Sequence, residues 1–117
     1  MLTIYGIRNC DTCKKARKWL EANSVEHRFH DLRVDGLGKT ALARWAQSAS
    51  WQKLLNTRST AWRGIPEADR QELNEQRALE LMLKYPTLVK RPILETKKNV
   101  LVGFSAEDYA EQIATRP

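Results

Sequence analysis

The stretch YGIRNCDTCKKARKWLEAN, residues 5–23, decides how the rest of this chain is interpreted. It continues a short run of strand-forming residues, LTIY at positions 2–5. From Asp11 onwards, Cys13, Ala16 and Leu20 recur at helical spacing and share one face. The stretch therefore predicts a strand, a tight turn that carries Cys10, and a helix that contains a second cysteine.

The rest of the chain extends this beginning into one α/β domain. VEHRFHDL, residues 25–32, is predicted to form a second strand, and the short crossover predicts that it runs parallel to the first. Helical patterns fill approximately residues 37–88, although TRSTAWRGIP within them is predicted to be irregular. The last elements are predicted to be strands at 92–95 and 100–104 and a helix that begins near Ser105. No linker or repeat divides residues 1–117, which are predicted to form a single domain.

The composition indicates the cellular compartment in which the two cysteines are expected to act. The chain has 117 residues, of which 29% are charged and 42% hydrophobic, as in ordinary soluble proteins. No basic segment precedes a long apolar run at the N-terminus, and runs such as LVGF are too short to span a bilayer. A cytoplasmic location is therefore expected, where thiols stay reduced and a CxxC pair is more often redox-active or metal-binding than a structural staple. The net charge of +6 is compatible with nucleic acid, an anionic small molecule or an acidic protein.

The position of Cys10 favours a thiolate. It precedes the first turn of the predicted helix, where free backbone N–H groups and the helix dipole stabilise an anion. Arg8, Lys14 and Lys15 add positive charge nearby. Such surroundings can lower a cysteine pKa from about 8.5 to roughly 3.5–7.5. Cys10 is therefore the predicted nucleophile, while Cys13 is either the resolving thiol that attacks a mixed disulfide or a small buried residue.

A zinc site is the alternative use of the cysteine pair. Cys10 and Cys13, with His27 and His30, form the pattern C-x2-C-x13-H-x2-H. The two residues between the histidines are fewer than the three to five that are usual in zinc fingers. In a strand, side chains three positions apart also point to opposite faces. The histidines are therefore interpreted as strand residues, and no metal is expected.

Four ordered motifs give the chain a family resemblance. YGIRNCDTCKKARKWLEAN, LLNTRSTAWR, ELMLKYPTLVKRPIL and LVGFS together resemble the arsenate reductase-like (ArsC-like) family over residues 2 to about 112. The chain looks closest to the YffB branch, with the Spx regulators as the next relatives. The resemblance implies a thioredoxin-like fold, in which a mixed four-stranded sheet of order β-α-β…β-β-α carries a helical insertion between strands 2 and 3.

The resemblance also implies roles for individual residues. Cys10 falls on the family's nucleophilic cysteine, and Arg91 on an arginine that binds the oxyanion and activates that cysteine. Pro92 corresponds to the cis-proline beside the cysteine loop. Arg58, with Lys14 and Arg8, would add positive charge for the substrate. Arsenate reductases use further arginines at two places where this chain has Asn56 and Gly103, so only Arg91 matches cleanly.

The function implied is that of a glutathione-dependent thiol–disulfide reductase. Glutathione would be a co-substrate, with no bound cofactor, and Cys13 or a second glutathione would release the mixed disulfide. One alternative is an arsenate reductase that uses glutathione and glutaredoxin. Another is a redox-sensing regulator of the Spx type that binds the RNA polymerase α subunit. A monomer is expected, with no membrane and no direct nucleic-acid contact.

Overall fold

Four strands form one mixed sheet in the computed structural model, which describes residues 2–114. The strands are β1 (Leu2–Gly6), β2 (His27–Asp31), β3 (Ile93–Glu95) and β4 (Val100–Val102). Their order across the sheet is β2-β1-β3-β4. β1 and β2 are parallel, as predicted, whereas β3 is antiparallel to both β1 and β4. This is the mixed four-stranded sheet that the resemblance implies.

The helices surround this sheet in two groups. α1 (Asp11–Ala22) connects β1 to β2, and α7 (Ala106–Ala114) follows β4. The chain between β2 and β3 is helical, which confirms the predicted insertion. Its helices are α2 (Lys39–Ala49), α3 (Trp51–Leu54), α4 (Thr60–Arg63), α5 (Glu67–Arg70) and α6 (Glu75–Lys84), followed by a 3-10 turn at Pro86–Leu88. Within residues 2–114, none of these helices is long and apolar enough to cross a membrane.

Two hydrophobic clusters lie on opposite faces of the sheet, because successive strand residues point to opposite sides. Leu2 and Ile4 of β1 belong to the cluster that also contains Ala16 and Leu20 of α1 and Tyr109 of α7. The other cluster contains Ile93 together with residues of the helical insertion: Leu42, Trp45, Leu54, Ala78 and Met82. The stripe predicted on α1 is therefore the face that packs on the sheet.

Two predicted boundaries and one stretch predicted to be irregular are corrected by the local backbone geometry. β2 begins at His27 rather than at residue 25, because the Val25 N–H still bonds to the Leu20 carbonyl at the end of α1, at 2.9 Å. The stretch predicted to be irregular contains α4, whose first turn is capped by the Ser59 hydroxyl. β4 ends at Val102 rather than at residue 104, since Gly103 turns the chain with a φ of +82°.

Strand direction gathers the chemically important segments at one end of the sheet. β1 and β4 run in the same direction and β3 runs against them. The loop after β1, the Arg91–Pro92 segment before β3 and Gly103 after β4 consequently lie at the same end. The Gly103 N–H donates to the Pro92 carbonyl at 2.8 Å and ties two of these segments together.

Candidate thiol site

Cys10 is the residue from which α1 starts. Its backbone is extended, with φ −133° and ψ 119°, and its carbonyl accepts the Lys14 N–H at 2.9 Å. The first N–H groups of a helix have no hydrogen-bond partner inside the helix. In α1 these groups point towards the end of the helix at which Cys10 lies. The side chain of Cys10 is partly exposed. A thiol at this position can therefore meet a substrate and gain from the positive end of the helix.

Two hydrogen bonds join the loop that carries Cys10 to the end of β2 and the residue after it. The Leu32 N–H donates to the Gly6 carbonyl at 2.8 Å, and the Arg8 N–H donates to Asp31 Oδ2 at 3.4 Å. Asp31 is only 5% exposed, and its Oδ1 also accepts the N–H groups of Arg33 and Val34. Burial alone would raise the pKa of the Asp31 carboxyl, but these backbone donors outweigh it and the pKa is lowered. Asp31 therefore holds the loop as a carboxylate.

Cys13 is buried against the strand before it. Its side chain is 1% exposed, and a Cβ atom built on Gly6 would lie 2.5 Å from its Sγ. Burial is the largest influence on this thiol, and negative charge on Cys10 acts in the same direction. The Ile7 N–H and the Arg91 charge act against it, yet the pKa of Cys13 is raised to about 11. Cys13 is therefore held as a neutral thiol near pH 7.

The pKa of the Cys10 thiol shifts in the opposite direction. Its partial burial is the largest influence and would raise its pKa, but the backbone N–H of Cys13, the Cys13 thiol and Arg91 together outweigh it. The net effect lowers the pKa of Cys10 below its ordinary value. Within residues 2–114 its side chain makes no capping hydrogen bond of regular geometry. The Cys13 N–H, the Cys13 thiol and Arg91 therefore lie close enough to Cys10 to stabilise a thiolate.

Arg91 supplies the positive charge of the site. Its Nη1 donates to the Thr87 carbonyl at 3.1 Å, which anchors one side of the guanidinium. Its Nε is buried and has no hydrogen-bond partner among the described residues. The following peptide bond, Arg91–Pro92, is cis, as the resemblance implies for Pro92. A partly exposed guanidinium beside a thiolate is suited to hold an anionic group next to the sulfur.

The other basic residues proposed for the substrate lie on the surface of the protein. Lys14, Arg8 and Arg58 are all exposed, and none is among the main influences on the pKa of Cys10. The Arg8 charge instead helps to lower the pKa of Asp31. The structure thus brings Cys10, Cys13 and Arg91 together. Substrate contact by Lys14, Arg8 and Arg58 stays a prediction.

The two positions at which arsenate reductases carry further arginines have local roles here. The Asn56 side chain accepts the Arg58 N–H at 3.1 Å and shapes the loop after α3. Gly103 has a φ of +82°, a conformation that an arginine would adopt only with strain. The backbone at Gly103 therefore favours glycine in this chain.

The histidines considered as zinc ligands bond to backbone carbonyls. His27 Nδ1 lies 2.8 Å from the Val25 oxygen, and His30 Nε2 lies 2.7 Å from the Gly36 oxygen. In the described part of the chain, no three side chains of histidine, cysteine, aspartate or glutamate are grouped so that they could hold a metal ion.

Three residues of the site escaped sequence reasoning. Gly6 ends β1 and makes room for the Cys13 sulfur. Asp31 and Thr87 act through contacts with Arg8 and Arg91. A glycine at the end of a strand, a few residues before a CxxC pair, is a signal that could have indicated close packing.

Adding a methyl group at Gly6 is expected to strain the site. In Gly6→Ala, the new Cβ would overlap the Cys13 sulfur, so either the strand or the helix start must shift. We expect the reduced protein to lose about 1–3 kcal/mol of unfolding free energy, as for other overpacked interiors, measured by urea denaturation. Gly38→Ala is the matched control, because a Cβ at that position would have no atom within 4 Å. An equal loss when Cys13 is also alanine would contradict the explanation.

Comparison with known proteins places this geometry in a family. Residues 5–112 match the model of the ArsC family. An uncharacterized protein of Haemophilus influenzae is 43% identical over 114 residues, spanning 97% of this chain and 100% of the relative. The global transcriptional regulator Spx of Streptococcus agalactiae is 28% identical over 111 residues, spanning 92% of this chain and 80% of Spx. A solved structure named YFFB protein superposes with a TM-score of 0.92 at 42% identity, covering 95% of this chain and 97% of the other. With its thiol pair, cis-proline and helix-start cysteine, the chain belongs to the ArsC family.

Proposed function

We propose that the protein is a glutathione-dependent thiol–disulfide reductase with Cys10 as its nucleophile. The opposite pKa shifts of two neighbouring thiols carry this proposal. The pKa of Cys10 is lowered, whereas that of Cys13 is raised to about 11. Neighbouring titratable groups whose environments separate their pKa values have different chemical roles. Cys10 is the thiolate that attacks, and Cys13 stays protonated until its sulfur is needed.

The first step is attack on a mixed disulfide of a substrate thiol and glutathione. The Cys10 thiolate attacks the glutathione sulfur, the substrate–glutathione S–S bond breaks, and the substrate leaves as a thiolate. A Cys10–glutathione disulfide forms, so the substrate is reduced and Cys10 is oxidised. Arg91 acts on Cys10 and is partly exposed, so its guanidinium would hold a glutathione carboxylate.

Two routes complete the cycle. In the first, a second glutathione thiolate attacks the bound glutathione sulfur, which gives oxidised glutathione and returns Cys10 as a thiolate. In the second, Cys13 loses its proton to solvent and attacks the Cys10 sulfur, which releases glutathione and forms a Cys10–Cys13 disulfide. Two further glutathione molecules then reduce that disulfide. The buried position and raised pKa of Cys13 favour the first route.

Incubation with oxidised glutathione tests this proposal. We expect intact-protein mass spectrometry to show one glutathione adduct, and peptide mapping to place it on Cys10. In Cys13→Ser the adduct should form at a similar rate and last at least as long, because the second route is closed. A protein that stays unmodified, or an adduct that maps to Cys13, would contradict the proposal.

Arsenate reduction is a nearby reaction that the same cysteine could support. Arg91 beside the Cys10 sulfur favours it, whereas the other arginine positions hold Asn56 and Gly103. Arsenite production from arsenate, with glutathione and glutaredoxin present, measures it directly. We expect production far below the rate of glutathione exchange.

A redox-sensing regulator is the second candidate, and the adjacent cysteines together with the Spx relatives favour it. In this hypothesis, oxidation to a Cys10–Cys13 disulfide would change binding to the RNA polymerase α subunit. A pull-down with the α C-terminal domain, in the reduced and the oxidised state, separates the two candidates. Absence of binding in both states would remove the regulator.

A further inference from the structure

The last strand leaves one edge of the sheet open. β4 pairs with β3 on one side, and within residues 2–114 no strand lies on its other side. Hydrogen bonds join Gly103 N–H to the Pro92 carbonyl and Thr96 N–H to the Asn99 carbonyl. In an antiparallel pair such bonds recur at every second residue. The polar backbone groups of Leu101 therefore point to β3, while those of Val100 and Val102 point to the open edge.

A cavity of about 360 Å³ runs along this edge. β4 and Gly103 form its floor, and its walls come from the α2–α3 region on one side and the start of α7 on the other. We call it the β4 groove. Its charged side chains are Lys53, Lys90 and Asp108. Asp108 lies in the first turn of α7, where the helix dipole compensates its charge, so the two lysines set the sign of the groove.

We propose that the β4 groove binds an extended, acidic segment of a protein substrate as an added strand. The outward N–H and C=O groups of Val100 and Val102 would pair with its backbone, and Lys53 and Lys90 would contact its carboxylates. Main-chain pairing at a sheet edge provides affinity, and the flanking side chains provide selectivity. This inference rests on the proposed thiol chemistry, since it names the kind of substrate that reaches Cys10.

The groove has the right position to deliver a disulfide to Cys10. Its end at Gly103 lies at the same end of the sheet as the cysteine loop, and the residue after Lys90 is Arg91. Three strand spacings of about 4.8 Å place an added strand roughly 14 Å from β1. At about 3.3 Å per residue, some five residues beyond the paired segment would span that distance. A protein substrate could therefore dock at the edge and present its cysteine at the nucleophile.

Amide hydrogen exchange on the whole protein tests the docking. The probes are two cysteine-free octapeptides, one alternating glutamate with valine and the other alternating lysine with valine. With saturating acidic peptide, we expect exchange at the Val100 and Val102 amides to slow at least tenfold. The Leu101 and Gly103 amides should change little, because they already face β3. The basic peptide should protect neither pair.

Charge-reversal variants test whether the lysines of the β4 groove bind the peptide directly or act only through the net charge of the protein. Lys53→Glu with Lys90→Glu should weaken acidic-peptide binding at least tenfold, measured by fluorescence anisotropy. Lys15→Glu with Lys39→Glu changes the net charge equally at exposed sites elsewhere and should weaken binding no more than twofold. Equal weakening by both pairs, or unchanged exchange at Val100 and Val102, would overturn the proposal. The proposal would also be overturned if the Lys53→Glu, Lys90→Glu variant self-associated while the wild type bound no peptide. The two lysines would then serve only to prevent pairing of the sheet edge with another copy.

The same variants keep this inference separate from the proposed chemistry. Glutathione adduct formation at Cys10 uses a small disulfide and should be unaffected by reversal at Lys53 and Lys90. Loss of the adduct in the wild type would refute the reductase while amide exchange still decided the docking. A normal adduct with unprotected Val100 and Val102 amides would refute the docking alone.

Discussion

Cys10→Ser is expected to abolish glutathione adduct formation and disulfide exchange. Serine has almost the same size, and it is a favourable residue at a helix start, so the fold should be retained. Its hydroxyl is not ionised near neutral pH and cannot replace the thiolate that the Cys13 N–H and Arg91 stabilise. We expect the rate to fall by at least about three orders of magnitude, as is typical when a covalent nucleophile is removed.

A coupled assay that follows glutathione oxidation measures this loss. Cys13→Ser is the matched control, because it removes the other thiol of the pair and should retain exchange by the monothiol route. Thermal unfolding of both variants checks that each is folded. Turnover by Cys10→Ser close to that of the wild type would exclude Cys10 as the nucleophile.

Arg91→Met is expected to raise the pKa of Cys10 and to slow its reaction at neutral pH. Arg91 helps to lower this pKa, and methionine keeps much of the side-chain length without the charge. A hydrogen bond to a charged group contributes about 1.5–3 kcal/mol. Its loss corresponds to a fall of roughly 10- to 100-fold in alkylation by iodoacetamide near pH 7.

The pH profile shows whether the effect acts through the thiolate. Below the pKa of Cys10 the thiolate fraction falls, so in Arg91→Met the rise of alkylation with pH should occur at higher pH than in the wild type. At high pH both proteins carry the thiolate, and their rates should converge. Lys14→Met, at an exposed position, should leave the profile unchanged. A reduction by the same factor at every pH would instead mean that Arg91 only positions the loop.

Regular elements with a buried face could be predicted from the sequence. The stripe of Cys13, Ala16 and Leu20 predicted α1 because apolar spacing records which face packs on the sheet. Within the predicted helical insertion, the Asn74 side chain accepts the Arg77 N–H and begins α6, as expected of an asparagine at a helix start. α4 escaped prediction because it has four residues, none of them buried, and therefore shows no apolar period.

The candidate site could be predicted only where its signal is local. Cys10 directly precedes the first residue of α1, so the thiolate character of Cys10 could be argued from the sequence. The role of Arg91 came from the family resemblance, because 81 positions separate it from Cys10. The sequence places the Arg8 charge near Cys10, whereas in the structure this charge helps to lower the pKa of Asp31, 23 positions away, and is not among the main influences on Cys10. Such pairings follow from strand register, which a single sequence does not display.

The connection between the antiparallel strands β3 and β4 offers an attachment point that is remote from the thiol site. The turn between these strands, residues 96–99, lies at the opposite end of the sheet from Cys10, and it carries the exposed Lys97 and Lys98. A fluorophore or a surface linker attached to either amine would sit a full strand length from the thiol. The protein can therefore be immobilised or labelled there with its nucleophile facing freely into solution.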